Sequence, residues 1–151
     1  MNPTDGGKSL DLSLAHALAR IALGINIAMH GLPRLADLQT FAWHVQPQFI
    51  HTFLPSAAIN LVIYGVPIGE AAIGILLILG LWLRPTLIAG LLLLYPLIFG
   101  INLIQKMDVA AEQLIYVFLY AALLATAHCD RFSVDGWCRR SRAAQVTDAC
   151  R

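Results

Sequence analysis

A carboxylate and a guanidinium stand inside segments that are otherwise apolar, and they are the residues best placed to do chemistry in this sequence. Glu70 interrupts the stretch "YGVPIGEAAIG", and Arg20 interrupts the apolar segment that begins at residue 10. A charged side chain inside a bilayer costs about 3 kcal/mol or more unless it meets a partner. Because both residues fall about halfway along their segments, we expect an Arg20–Glu70 ion pair near the middle of the membrane. Such a pair would either serve a reaction or set the register of two helices.

Further polar side chains gather on one side of this expected pair. With a helical rise of about 1.5 Å per residue, several of them lie roughly 9 to 15 Å from it, toward the face that holds the longest loop. The members of this group are Asn26, His30, Arg34, Asn60, Tyr64 and Tyr116. We expect a site that opens to this face and ends at the pair. His30, Glu70 and Arg20 would then be its reactive groups, although capping and packing at the membrane interface explain single members equally well.

The elements that must position these residues are membrane-spanning helices. Of 151 residues, 58% are hydrophobic and only 13% are charged, against about 25% charged in a typical soluble domain. A spanning helix needs roughly 20 mostly apolar residues, and four segments approach this length. The sequence therefore predicts an all-α integral membrane four-helix bundle. Its predicted helices are 10–30, 57–83, 87–104 and 111–128, within a transmembrane domain of residues 10–128 that follows a disordered start, 1–9, and precedes a basic tail, 129–151.

Breaker residues and charges predict how the helices connect and face. Gly31 and Pro33 are expected to end the first helix. The long loop, 33–56, would form either a helix lying at the membrane interface or a lid. Gly65 and Gly69 would let the second helix approach a neighbour closely. Lys and Arg residues concentrate at the two termini and the connection after residue 83, which predicts cytoplasmic termini, an outward loop and a multi-pass protein of the cytoplasmic (inner) membrane.

Several classes of partner and cofactor lack support in the sequence. A net charge of +1 gives no reason to expect a nucleic-acid partner. No metal site is predicted, because Cys129, Cys138 and Cys150 follow the last helix without zinc-ligand spacing. His30 has no second histidine at its depth, so a haem held by two histidines is not expected. The expected surroundings are the lipid bilayer and, because glycine-rich helix faces permit it, a second copy of the chain.

Two stretches resemble the DoxX family of small four-helix membrane proteins. They are "RIALGINIAMHGLPRL", residues 20–35, and "GEAAIGILLILGLWLRP", residues 69–85. The residues that fit the family pattern are Arg20, Gly24, His30, Gly31, Glu70, Gly80 and Arg84. Arg34 stands where Lys is usual, which keeps the charge and changes its geometry. The resemblance implies a membrane subunit of an oxidoreductase system, a class that includes a small subunit of a thiosulfate:quinone oxidoreductase.

Three functions follow as hypotheses. In the first, the polar site binds a membrane quinone, with Arg34, Asn26, Asn60, Tyr64 and Tyr116 as binding residues. In the second, the chain is a non-catalytic scaffold or anchor for a redox or metal-handling partner. In the third, it is a small-solute or metal transporter that works as a dimer. Whether the chain is itself an enzyme stays open, because it has no nucleotide-binding, cysteine-pair or Ser/His/Asp motif.

Overall fold

The computed structural model describes residues 3–130 and 132–135, and this part of the chain is all-helical. The helices are α1 (Pro3–Ala36), α2 (Leu38–Val45), α3 (Ser56–Leu79), α4 (Leu83–Leu103) and α5 (Met107–Ala125). Short 3₁₀ segments follow α2 at Gln46–Phe49 and α5 at Ala127–Cys129. Most of the predicted basic tail, with Cys138 and Cys150, lies outside the described residues.

Four of these helices form an up-and-down bundle. In the described part of the chain, α1, α3, α4 and α5 are each long and apolar enough to cross a membrane, which confirms the predicted all-helical architecture with four spanning segments. α1 packs most extensively on α3, and α4 packs on α3 and α5. We call the end where α3 and α5 begin the loop end. The opposite end, where α3 and α5 finish, is the tail end.

α1 begins earlier and ends later than the sequence predicts. It is helical from Pro3, in the stretch expected to be disordered, and it passes through Gly31 and Pro33 to Ala36. Proline removes one backbone donor but leaves its own carbonyl able to continue the ladder, and the Asp37 N–H donates to Pro33 O at 3.2 Å. Packing against α3 thus outweighs the local breaking tendency. As a result Arg34 is a helical residue and not part of a loop.

The connection between α3 and α4 has the predicted length of three residues but lies four residues earlier, at 80–82 instead of 84–86. α3 ends at Leu79 because Gly80 adopts the left-handed conformation, with φ of 68°, which glycine reaches without steric cost. α4 begins at Leu83, whose free N–H donates to Asp135 Oδ2 at 3.1 Å. A side-chain acceptor from the segment after α5 therefore caps α4, and the sequence around residues 84–86 does not form the predicted turn.

Glycines bring α1 and α3 into direct backbone contact, but they are not the ones singled out from the sequence. A Cβ atom at Gly24 would lie 2.9 Å from Gly74 O, and one at Gly31 would lie 2.6 Å from Pro67 O. By contrast, a Cβ at Gly65 would meet only Leu61 of its own helix, at 3.6 Å. The prediction of close approach was wrong for Gly65, but Gly69 does face a neighbour, since a Cβ there would lie 3.3 Å from Leu93 Cδ1 of α4.

The long loop contains α2, which begins at a capped Asp37. Thr40 N–H donates to Asp37 Oδ1 at 3.1 Å, a typical N-cap contact. Hydrogen bonds from the Thr40 side chain and backbone hold the pKa of Asp37 below its ordinary value. None of the residues of α2 is fully buried, whereas Phe49 of the following 3₁₀ segment is. The loop thus lies over the loop end of the bundle and inserts one aromatic ring into it.

A layer of apolar side chains packs between Glu70 and the tail end of the bundle. Its side chains come from all four long helices and are nearly inaccessible to solvent. We refer to this group as the apolar layer; it consists of Leu23, Ile27, Ile73, Leu77, Leu87 and Leu123. Side chains of this kind carry no polar atoms, so the layer holds the helices by close packing alone.

Candidate functional site

Glu70 is a buried charged residue near the middle of the bundle. It lies just past the midpoint of α3, and only 8% of its side chain is exposed. Arg34 Nη1 donates to Glu70 Oε2 at 2.6 Å. The contact forms because the glycine at position 31 brings α1 against α3 at Glu70, whose Cβ would be 3.0 Å from a Cβ on Gly31. One helical turn later, Arg34 reaches the carboxylate.

The Arg20–Glu70 pair expected from the sequence is not formed. Arg20 Nη1 donates to Leu77 O at 2.5 Å, and Arg20 Nη2 donates to Phe132 O at 3.0 Å. The error came from the register of the two helices. Gly24 faces Gly74, so one turn earlier Arg20 faces the C-terminal end of α3, at the tail end of the molecule. Arg34, predicted only as a binding residue, is the partner of Glu70.

Arg34 links the ion pair to the long loop. Its guanidinium carbon lies 5.2 Å from the centroid of the Phe41 ring, on α2, within the range of a cation–π contact. The Arg34 side chain remains 32% exposed. One guanidinium edge is thus engaged by Glu70, while the rest of the group can donate hydrogen bonds into the space beside it.

That space is an apolar cavity of about 440 Å³ at the loop end. It lies between α3, α4 and the start of α5, and the long loop covers it. Apolar side chains along its wall include Phe41, Phe49, Val62, Val66, Leu97 and Ile101. Polar side chains along its wall are Arg34, Gln48, Lys106 and Gln113. A mostly apolar wall with a few polar groups is the usual composition of a small-molecule site.

Gln113 is a functional candidate that the predicted site did not include. It lies on α5, is 8% exposed, and lines the cavity. Among the described residues, its buried Oε1 atom has no hydrogen-bond partner. Buried polar atoms are almost always paired, so an unpaired acceptor on a cavity wall indicates a missing donor. The sequence did offer a signal for this residue. Gln113 and Glu112 are polar residues within the first two turns of α5, a helix that is otherwise mostly apolar.

His30 and Tyr116 lie beside the ion pair, at the contact between α1 and α5. Their rings pack edge to face with centroids 6.2 Å apart. His30 Nδ1 donates to Asn26 O at 2.8 Å, because a carbonyl oxygen can only accept. This bond leaves Nε2 of a neutral His30 as an acceptor. His30 is also close enough to Glu70 to act on its charge.

The remaining predicted residues do not join the site. The side chains of Asn26 and Asn60 are exposed, and Tyr64 is 50% exposed on the outer face of α3. Tyr120, which was not among the predicted residues, is 1% exposed. Its ring packs against Gly90, where a Cβ atom would collide with it. In the candidate site, Arg34 and Gln113 line the loop-end cavity, Glu70 binds Arg34 behind that wall, and the His30–Tyr116 ring pair lies outside the wall, with His30 exposed.

Comparison with known proteins agrees with the sequence resemblance. A family model described as DoxX matches residues 15–104, which cover most of α1, the long loop, α3 and α4. Neither a search of curated proteins nor a search of solved structures found a match. DoxX proteins are generally membrane proteins associated with oxidoreductase and quinone systems. With its four spanning helices and this family match, the chain is a multi-pass membrane protein that belongs to the DoxX family.

Proposed function

We propose that this chain is a quinone-binding membrane subunit of an oxidoreductase system, and that the loop-end cavity holds the quinone. The observation behind the proposal is the pairing of a donor and an unpaired acceptor on one apolar wall. Arg34 offers guanidinium N–H groups beside Glu70, and Gln113 offers an unpartnered Oε1 among the described residues. A quinone carbonyl accepts from the first, and a quinol hydroxyl donates to the second.

The chemistry assigned to each residue follows from its environment. Arg34 is fixed by Glu70 and Phe41, so its free N–H groups are directed before the ligand arrives and lose little entropy on binding. Gln113 distinguishes the hydroxyl of a quinol, which can donate, from a carbonyl, which cannot. Apolar side chains such as Val62, Leu97 and Ile101 line the remaining wall and suit an isoprenoid tail.

The proposal includes an orientation and a location. We place the loop end outward and both termini in the cytoplasm, within the cytoplasmic membrane. Arg34 is engaged inside the bundle, so it no longer counts as a flanking charge of the loop end. Of the flanking basic residues in the described part of the chain, Lys106 lies at the loop end and Lys8 and Arg84 lie at the tail end, and the sequence also contains "CRRSR" at residues 138–142. The partner would be a catalytic redox subunit that contacts the long loop.

The test is quinone content and quinone binding of the purified protein. The protein is extracted in mild detergent, its lipids are identified by mass spectrometry, and quinol is titrated after delipidation. We expect stoichiometric quinone in the wild type. Gln113→Leu should weaken quinol binding about fivefold to tenfold, which is the loss of one hydrogen bond of about 1 kcal/mol. Asn60→Leu removes an amide from an exposed position of α3 and should leave binding unchanged.

Other outcomes would replace the proposal. A protein that retains only phospholipid and shows no saturable quinone binding is not a quinone subunit, and a scaffold for a redox partner becomes the better hypothesis. Solute or metal uptake by proteoliposomes would instead identify a transporter. Equal losses in Gln113→Leu and Asn60→Leu would place the ligand outside the loop-end cavity.

A further inference from the structure

A second group of buried polar residues lies at the tail end, away from the quinone site. His16 and Arg20 of α1 are 3% and 1% exposed, and Asp130, which follows the 3₁₀ segment after α5, is 5% exposed. We refer to these three residues as the tail-end cluster. The proposed quinone function uses none of them, and the apolar layer separates them from Glu70.

Arg20 is fixed by backbone carbonyls, and its Nε atom is left without a partner among the described residues. Its Nη atoms donate to the carbonyls of Leu77 and Phe132, and it packs against Gly80, where any Cβ would overlap the guanidinium. Among the described residues, Arg20 Nε has no acceptor. The guanidinium is therefore held in place with its Nε–H available to a ligand.

His16 presents one ring nitrogen to the cluster. Its Nδ1 lies 2.9 Å from Thr126 Oγ1. The single hydroxyl proton of Thr126 is used in a 2.8 Å bond to Ala122 O, so the His16 Nδ1–H must be the donor in this contact. His16 Nε2 is buried without a partner in the described part of the chain. It accepts when the ring is neutral and donates when the ring is charged.

Asp130 completes the set of unpaired atoms. Both of its carboxylate oxygens are buried, and neither has a hydrogen-bond partner among the described residues. The carboxylate nevertheless acts electrostatically on both His16 and Arg20. A buried carboxylate without any hydrogen bond is strongly disfavoured. Ordered water that bonds several such groups at once is the usual solution.

We propose that the tail-end cluster is a hydrated proton-binding site in which His16 and Asp130 share one exchangeable proton through bound water. Arg20 Nε donates to the water, and an Asp130 oxygen accepts from it. When charged His16 releases the Nε2 proton, the water takes that proton and passes one of its own to Asp130. The ring becomes neutral and the carboxylate becomes a carboxylic acid, with no change in total charge.

No neighbouring titratable residue among those described is placed to take part in this proton exchange between His16 and Asp130. His128 is exposed, and Asp135 is engaged in capping the Leu83 N–H. From α3, the contacts with Arg20 are the carbonyls of Leu77 and Ile78, which do not titrate. Among the described residues around the tail-end cluster, His16 and Asp130 are thus the buried groups that can exchange a proton.

The test measures the two titrations separately in the full-length protein in lipid nanodiscs. Nitrogen NMR of labelled histidine follows His16, and the infrared band of a protonated carboxyl group, assigned by its loss in Asp130→Asn, follows Asp130. In the wild type we expect both signals to change at the same two pH values, as in a coupled pair. Magnetisation transfer from water should reach the His16 Nε2 proton.

Variants supply the reciprocal comparison. Asp130→Asn should move the His16 titration by about one pH unit, the size that defines a coupled pair. His16→Gln should move the Asp130 band equally, because linkage is reciprocal. Asp108→Asn removes an exposed carboxylate of α5 and should change neither. Independent wild-type titrations, with no transfer from water to His16, would overturn the proposal even if every variant failed to fold.

Discussion

Arg34 and Glu70 join α1 to α3 through a 2.6 Å contact between Nη1 and Oε2. The two side chains differ in environment, since Glu70 is 8% exposed and Arg34 is 32% exposed. The carboxylate therefore depends on the guanidinium more than the guanidinium depends on the carboxylate. Removing either partner should not have the same effect as removing both.

We predict that Arg34→Met destabilises the protein more than the double change Arg34→Met with Glu70→Leu. The single variant leaves a buried carboxylate without a counter-ion, which should cost about 2 kcal/mol, below the range for fully buried pairs because Arg34 is partly exposed. The double variant should recover most of this loss. Unfolding in mixed detergent micelles measures both, with Arg84→Met as the control for removing an exposed cation. Equal stabilities of the single and double variants would contradict the prediction.

The glycine at position 31 should be essential to the same contact. A Cβ there would lie 2.6 Å from Pro67 O, so Gly31→Val must push α1 away from α3 and separate Arg34 from Glu70. We expect a loss of about 2 to 3 kcal/mol in unfolding free energy, as in overpacked cores, together with weaker quinol binding. Gly65→Val is the matched control, because its nearest contact would be an ordinary 3.6 Å. Similar losses in both variants would show that the low helix propensity of valine, and not the contact between α1 and α3, causes the loss of stability.

The N-terminus of α2 should loosen in acid. Hydrogen bonds from Thr40 lower the pKa of Asp37 in the folded protein. The cap therefore stabilises α2 above the ordinary Asp pKa of about 4, and this contribution is lost as the pH falls through the lowered value. The proton shift of the Thr40 amide should titrate in that window. In Asp37→Asn, which caps without ionising, the same shift should stay flat; a matching titration in both proteins would disprove the assignment.

Hydrophobicity sufficed to predict the four long helices, whereas the partner of Glu70 required the helix register. The expected Arg20–Glu70 pair assumed that α1 stops at the "HGLP" sequence and that both helices share a midpoint. In the structure α1 continues to Ala36, which brings Arg34 to Glu70 and leaves Arg20 at the tail end. The helix-breaking tendency of Gly31 and Pro33 led to the wrong prediction that α1 ends there. In the structure, Gly31 instead allows close contact between α1 and α3.

The cavity and the tail-end cluster depend on contacts between segments far apart in sequence. Gln113 faces the cavity through the rotation of α5, which an apolar helix with a weak sequence pattern does not reveal. Asp130 follows the last spanning helix, where a carboxylate is usually solvated, and it is buried because the segment after α5 folds back onto α1. Neither placement could be read from spacing along a single helix.

The apolar layer has an electrical consequence. It is a low-dielectric barrier between the two polar sites, built from apolar side chains such as Leu23, Leu77 and Leu123. Most of the membrane voltage must fall across such a barrier, at about 2.3 kcal/mol per elementary charge for each 100 mV. Protons that the proposed quinone takes up or releases at the loop end would therefore be exchanged with that side alone. If the proposed quinone reaction takes place there, it would leave the membrane voltage unchanged, because no charge would cross the apolar layer.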